Sequence, residues 1–308
     1  MLDKCELCPR KCGTDRISGK TGYCGAGIQA QVFRFGPHFG EEPPISGSKG
    51  SGTVFFSRCT MRCIYCQNFN WSQNDSGKKY DKDGLSGILE HLKAEGCHNW
   101  NLVSPTPWLP MIEEAADAVR KKGHILPFVY NTSGFERPES LERYKSLADI
   151  YLTDLRYAKS SSAAEGSDAP IYVETARVAL KKMWDLTGAI ETDDAGIAVH
   201  GTICRILVLP GRADEAIDNL RWIAKDIGTD ISLSLMAQYH PVYKARDING
   251  WDQRVQADEY RKVCDVMNDL GFENGWIQEW EAEVDRDMAG FHMKEGAGPV
   301  KKLKTTGD

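Results

Sequence analysis

Seven of the ten cysteines fall in two groups within the first 66 residues: Cys5, Cys8, Cys12 and Cys24, then Cys59, Cys63 and Cys66. The second group is spaced CxxxCxxC. Three thiolates on one loop can hold three irons of a cubane 4Fe-4S cluster, whereas a complete protein cage takes four. The missing ligand leaves one iron open to an outside molecule, the logic that separates catalytic from structural metal sites. A zinc knuckle is the alternative for such spacing alone. The first group, CxxCxxxC with a fourth cysteine after eleven residues, can close a shell by itself. Structural zinc usually takes paired CxxC units, so this set looks more like a ferredoxin-style ligand set, with zinc as the alternative. A second cluster would relay electrons or fasten the N-terminal segment; zinc would only fasten it. Cys97, Cys204 and Cys264 stand alone and are expected to pack in the core, with a radical-relay thiol as the alternative for Cys97.

The composition narrows where such chemistry can run. Small disulfide-stapled domains lack a core, but 308 residues with 41% hydrophobic content can bury one. A net charge of −6 argues against a phosphate-backbone partner, so no nucleic acid is expected. No apolar run approaches a membrane span, and the opening MLDKCELCPRKC is not a signal peptide, so a cytoplasmic protein without membrane attachment is expected. Clustered cysteines then read as metal or cluster ligands.

The elements that must position these residues follow from periodicity. Residues 1–52, rich in Gly, Pro and Cys, show little strand or helix pattern and are read as a Cys-rich N-terminal cap ending in GSKGSG. From 53 onward, β-rich runs at 53–57, 99–104, 125–131, 149–155, 199–209 and 230–239, with a weaker one at 276–280, alternate with helical stretches. The helical stretches lie at 84–95, 109–122, 138–147, 172–187, 213–226 and 255–270. Alternating βα units imply a parallel sheet with helical crossovers. The expected fold is α/β, a partial (βα)6 TIM-like barrel over 53–284, with a loose C-terminal tail at 285–308.

Strand alternation says where a ligand would sit. In 230–239, Ile231, Leu233, Leu235, Ala237 and Tyr239 share one face, whereas Ser232, Ser234, Met236 and Gln238 share the other, with His240 just beyond. A sheet covered on both faces should be apolar on both. Asp154 and Arg156 share one parity, Asn131 and Ser133 another pair, and Arg205 interrupts an apolar strand. Polar groups thus gather near strand C-termini, where α/β folds put ligands. If Arg205 points inward, Cys204 must face the helices. His38, Glu41 and Glu42 in HFGEEPP can reach the same mouth or hold a capping loop. Trp71, Trp108 and Trp251 are expected to pack rather than stack on substrate.

The segment GSGTVFFSRCTMRCIYCQN at 50–68, with aromatic Tyr65 before the third cysteine, resembles the radical S-adenosylmethionine enzymes. Together with HFGEEPPISGSKGSG, VYNTSGFE, DIYLTDLRYA, RILVLPG and SLMAQYHPVYKA, it is similar to the pyruvate formate-lyase-activating enzyme family, in its branch with extra N-terminal cysteines. The resemblance spans residues 5 to about 280 and implies Cys59, Cys63 and Cys66 as 4Fe-4S ligands. It implies that S-adenosylmethionine binds the open iron and is reductively cleaved to a 5′-deoxyadenosyl radical that takes hydrogen from a substrate. NLVSPTPW at 101–108 departs from the family's Gly-Gly-Glu-Pro motif, leaving Ser104 carbonyl and Thr106 hydroxyl as candidates for the methionine amine. Asn131 and Ser133 would contact ribose or methionine, Gln238 and His240 adenine and ribose, and Arg205 the methionine carboxylate. Asp154 matches the family's Asp-x-Lys acid, but Arg156 stands in place of the Lys. The resemblance further implies flavodoxin or ferredoxin as electron donor and a glycyl-radical enzyme as protein substrate. The alternatives are radical chemistry on a small metabolite, lipid or cofactor precursor, and a non-catalytic iron-sulfur or zinc electron-transfer protein.

Overall fold

The structure, a computed structural model, describes residues 2–281 and 295–298. The chain runs β1 (Ala30–His38), α1 (Pro43–Ser46), β2 (Ser51–Phe56), α2 (Phe69–Ser72), β3 (Lys78–Tyr80), α3 (Lys82–Ala94), β4 (Trp100–Val103), α4 (Leu109–Lys121), β5 (Phe128–Thr132) and α5 (Pro138–Arg143). It continues through β6 (Ile150–Asp154), α6 (Ser160–Ser167), α7 (Tyr172–Thr187), β7 (Glu191–Thr192), β8 (Ala198–Leu207), α8 (Ala213–Asp226), β9 (Ser232–Met236), α9 (Ala257–Asp269), β10 (Gly275–Ile277) and β11 (Gly296–Ala297).

Local chemistry explains the helix limits. α4 starts with Pro110 in its first turn, where a missing N–H does no harm. Its buried Leu109, Ile112, Ala115, Ala116 and Val119 recur at helical spacing and form one apolar stripe. α9 opens on a reciprocal capping box between Gln256 and Glu259. α7 ends at Gly188, whose φ of 66° suits glycine.

One mostly parallel sheet organises the chain. Strands β2, β4, β5, β6, β8, β9 and β10 lie side by side in sequence order, each parallel to the next. A doubly wound sheet reverses its order at a switch point; the parallel run from β2 to β10 does not. β1 adds antiparallel to β2, and β3 and β11 pair with β1. Among the described residues β10 and β11 form the two ends of the order and do not meet, so the sheet does not close into a barrel.

Its two faces differ as the alternation requires. Cys204, Ile206, Leu233 and Leu235 pack with Leu180, Leu220 and Val263 of the helices, while Val54, Leu102, Tyr130 and Tyr151 pack with Leu89, Ile112 and Met183. The opposite parity carries a small apolar layer, Val129, Ile150, Leu152 and Ile203 against Ile45 of α1. Toward the strand C-termini that same face turns polar, with Asn101, Asn131, Asp154 and Arg205. Trp71, Trp108 and Trp251 are buried, as are Cys97 and Cys204, and Cys264 is half-buried against the core.

The sheet begins earlier than the sequence pattern implies. Residues 30–38 pair with β2 over six positions, so the segment expected as a separate cap contributes a strand of the main sheet. Gly36 and Pro37 interrupt its alternation and hide it. α6 escaped notice because SSSAAEGS is built of small residues with no apolar stripe. The expected tail at 285–308 lies outside the described residues except 295–298, of which Arg34 and Phe35 pair with Gly296 and Ala297. Among the described residues no helix is long and apolar enough to cross a membrane.

Leu233 is fully buried between sheet and helices. Leu233→Ala is expected to cost about 2–5 kcal/mol in urea unfolding, from lost burial plus the cavity left behind; a loss under about 1 kcal/mol would contradict this packing.

Candidate functional site

The loop from 57 to 68 leaves the C-terminal end of β2 and carries Cys59, Cys63 and Cys66. Its path is pinned at several points. Arg58 N donates to Trp71 O at 3.0 Å, Arg62 N to Ser167 O at 3.2 Å, and Ile64 N to Gly166 O at 2.9 Å. Gly166 admits this approach because a Cβ there would meet Trp251 at 2.5 Å and Tyr157 Oη at 2.6 Å. Tyr65 stacks on Trp251 and shares a hydrogen bond of 2.6 Å with Tyr157.

Donors converge on the sulfurs. Cys63 Sγ accepts from Arg156 Nη1 and Ser167 Oγ, each at 3.0 Å, and Cys66 Sγ lies 3.2 Å from Ser72 Oγ. Cys59 Sγ accepts from Met61 N at 3.5 Å. Burial, then the neighbouring Cys63, pushes the Cys59 thiol up to about 12 and the Cys66 thiol up to about 11.

Behind the cysteines lies a cavity of about 240 Å³, walled by Cys63, Cys66, Asn131, Asp154, Arg156, Arg205, Gln238 and His240 together with His38, Glu41 and Glu42. With Val103 of β4, six parallel strands or the turns that follow them contribute to it. The Arg205 guanidinium is its organising group. Nε donates to Asp154 Oδ1 at 2.8 Å, Nη2 to Asn131 Oδ1 at 2.7 Å, and Nη1 to Glu41 Oε2 at 3.2 Å. Asp154 Oδ2 in turn accepts from Arg156 Nη2 at 2.6 Å and Nε at 3.1 Å. A continuous chain of charge thus runs from Glu41 through Arg205, Asp154 and Arg156 to the Cys63 sulfur.

Planar guanidinium forks suit this bridging, because an ammonium offers a point charge on a flexible stem. That accounts for Arg at 156, which spans a carboxylate and a sulfur at once. Burial alone would raise the Asp154 carboxyl, but Arg205 and Arg156 override it and hold it below its ordinary range. Glu41 and Glu42 go the other way: burial raises both against the pull of Arg205. Burial and then Arg205 lower His38 to about 4, which keeps it neutral.

Three sequence-singled residues lie outside these walls. Ser104 sits at a φ of 58°, its N–H donating to Asn131 O at 2.9 Å. Ser133 offers its carbonyl to Tyr172 Oη at 2.7 Å. Thr106 Oγ1 donates to Glu136 Oε1 at 2.5 Å, as does Thr132 Oγ1 at 2.6 Å. The one-turn helix at 106–108 carries Thr106 toward the N-terminal cysteines instead, and burial raises Glu136 to about 7. Sequence reasoning missed Ser167, Ser72, Tyr172 and Glu136, which only tertiary packing brings to this region.

Cys5, Cys8, Cys12 and Cys24 line one small cavity of about 10 Å³ with Arg10, Arg16, Thr60 and Thr106. Gly22 is required beside it, since a Cβ there would meet Cys12 Sγ at 2.6 Å. The segment is bolted down by Arg10, whose Nε reaches Thr60 O and whose Nη2 reaches Asp168 O, each at 2.6 Å. Arg16 Nη1 donates to Pro107 O at 2.8 Å, and Ser140 Oγ to Leu7 O at 2.8 Å. Thr60, next to Cys59, therefore touches both cysteine groups' surroundings. Among the described residues no three His, Cys, Asp or Glu side chains converge as a single metal ion requires.

A larger cavity, about 630 Å³, opens at the N-terminal ends of the strands beside His98, Ile190, Asp230 and Trp276. Of the residues singled out by their chemistry, Ser232 lines it.

No family model matches the chain. It is similar to the uncharacterized protein MJ0674 of Methanocaldococcus jannaschii, 25% identical over 276 residues, covering 86% of this chain and 75% of that protein.

Two outcomes follow from this geometry. Arg205→Ala leaves Asp154 and Glu41 buried without their bridging cation and is expected to cost about 3–5 kcal/mol in urea unfolding. For Glu136 the native pKa lies above the unfolded one, so the native state holds its proton longer. Stability tied to this group is full below about pH 4.3 and is lost as pH rises to about 7. Glu136→Gln, which keeps an acceptor for Thr106 and Thr132, should gain on the wild type as pH rises through that window, by up to about 3 kcal/mol at pH 8 and nothing at pH 4. Parallel pH profiles for both proteins would contradict the raised pKa.

Proposed function

We propose that this protein is a radical S-adenosylmethionine enzyme. The observation that carries the reading is that Cys63 and Cys66, from one loop with Cys59 after β2, form a wall of the same cavity as Asn131, Asp154, Arg156, Arg205, Gln238 and His240. The in-order parallel strands, with helices on one face and a polar mouth on the other, are read as a partial (βα)6 barrel opened at its last strand. The 57–68 loop offers three thiols and the rest of the wall offers no fourth, which fits a cubane with one open iron. Arg156 and Ser167 already aim donors at Cys63 Sγ, and such bonds to ligand sulfurs tune a cluster's potential.

When bound, the cluster supplies one electron that cleaves the sulfonium of S-adenosylmethionine and so generates the 5′-deoxyadenosyl radical. The chain's residues bind, orient and shield. Arg205, held rigid by three partners, presents guanidinium charge for the methionine carboxylate. Asn131, Gln238 and His240 offer polar atoms for ribose and adenine. Phe55, Leu207 and Met236 give the cavity its apolar walls and help keep water from the radical. Cys5, Cys8, Cys12 and Cys24 are read as ligands of a second 4Fe-4S cluster, with zinc as the other occupant of the same thiols. A flavodoxin or ferredoxin is the proposed electron donor.

Anaerobic reconstitution with iron and sulfide, followed by reduction with S-adenosylmethionine present, tests this. The wild type should form 5′-deoxyadenosine, and Cys63→Ala should form none while losing about four irons of about eight. A wild type that shows a 4Fe-4S spectrum yet yields no 5′-deoxyadenosine would sink the proposal. About four irons and one zinc in the wild type would assign zinc to the N-terminal thiols.

A further inference from the structure

The acidic loop after β1 holds polar groups that the proposed chemistry leaves unused. His38 and Glu42 are 5% and 8% exposed, and both line the cavity behind the cysteines. His38 Nδ1 and Glu42 Oε2 are fully buried and have no hydrogen-bond partner among the described residues. An unsatisfied buried polar atom is costly, so a native site that keeps two in one cavity calls for a partner that fills them.

Both atoms can accept, Glu42 Oε2 once its carboxyl is ionised beside a cation. His38 Nε2 lies 4.0 Å from Glu41 Oε1; with its proton on Nε2, the neutral ring keeps a lone pair on Nδ1. An ionised Glu42 can only accept. The hydrogen bonds of Arg205 go to Asp154, Asn131 and Glu41, and none of them reaches Glu42. Arg156 is likewise committed to Asp154 and Cys63. Three carboxyl groups (Glu41, Glu42, Asp154) thus face two guanidiniums, and among the described residues Glu42 is the one with no cation within ion-pair distance, though it feels the charge of Arg205. An anionic ligand would be repelled there, and a purely apolar one would leave both acceptors dry.

We infer that Glu42 and His38 form a receptor for a primary ammonium group, so that the molecule acted on in this cavity is an amine. The ammonium carries the missing positive charge and three donors, enough to serve the Glu42 carboxylate and His38 Nδ1 together. Glu41 is already satisfied by Asn101, Asn131 and Arg205. The inference names a substrate class for the radical reading and rests on it for the reaction, though not for the binding.

The test uses the full-length protein, titrated calorimetrically with lysine, cadaverine and phenethylamine, each beside its N-acetylated form. At least one amine should bind ten-fold or more tightly than its acetylated counterpart. Glu42→Gln should weaken that amine at least ten-fold, Glu42→Asp should recover part of the loss, and His38→Asn should weaken it less. Equal affinity for amines and acetylated forms in the wild type overturns the inference, whether or not any variant folds. So does a folded Glu42→Gln that binds the amine as well as the wild type does. Adding S-adenosylmethionine and reductant to the amine-bound wild type separates the two claims. Amine binding without 5′-deoxyadenosine removes the radical reading and leaves the receptor; 5′-deoxyadenosine without an amine preference does the reverse.

Discussion

The interior of this protein is arranged around one buried guanidinium. Arg205 donates to three acceptors that come from three separate places: the loop after β1, the end of β5 and the end of β6. Taking such a charge out of water is expensive, and only a full set of partners offsets it. Each partner must therefore arrive at a fixed position, which fixes the register of neighbouring strands. Asp154 sits directly across from Arg205 in the parallel pairing, so sheet register and ion pair enforce each other.

That constraint extends to the cysteines. Asp154 shares its second oxygen with Arg156, and Arg156 reaches the Cys63 sulfur. A shift of β8 by one residue would turn Arg205 into the helix-facing core, put Cys204 in the cavity and strand Asp154 without its main cation. The loop that offers the thiols is thus tied through two arginines to the deepest part of the sheet. Its other face is braced by the N-terminal segment, where Arg10 holds Thr60 and Asp168. The two cysteine groups share the stretch at 58–62 between them, which makes the first 24 residues part of the site's support.

Much of this was legible in the sequence because period and parity are local properties. The six main strands and six main helices lie where the alternating pattern placed them, and Cys204 and Arg205 face opposite sides as their neighbouring positions demand. Strand β1 was hidden because Gly36 and Pro37 break the alternation that would have marked it. The direction of the Thr106 hydroxyl is hidden for a different reason. A one-turn helix and a buried carboxyl thirty positions away decide where its hydroxyl points, and neither leaves a mark in the local pattern.

By itself, then, the sequence determined the α/β alternation, the polar strand ends and the two cysteine sets, since each depends on residue types at fixed short spacings. The tertiary structure alone decided which polar ends share a cavity, which arginine bridges which carboxylates, and that the HFGEE loop folds into the same space. Those pairings join residues separated by 50 to more than 160 positions in the chain, as Arg205 to Asp154 and Arg205 to Glu41 show. They follow from burial: groups that cannot be left dry must find each other, and only the folded sheet determines which ones can.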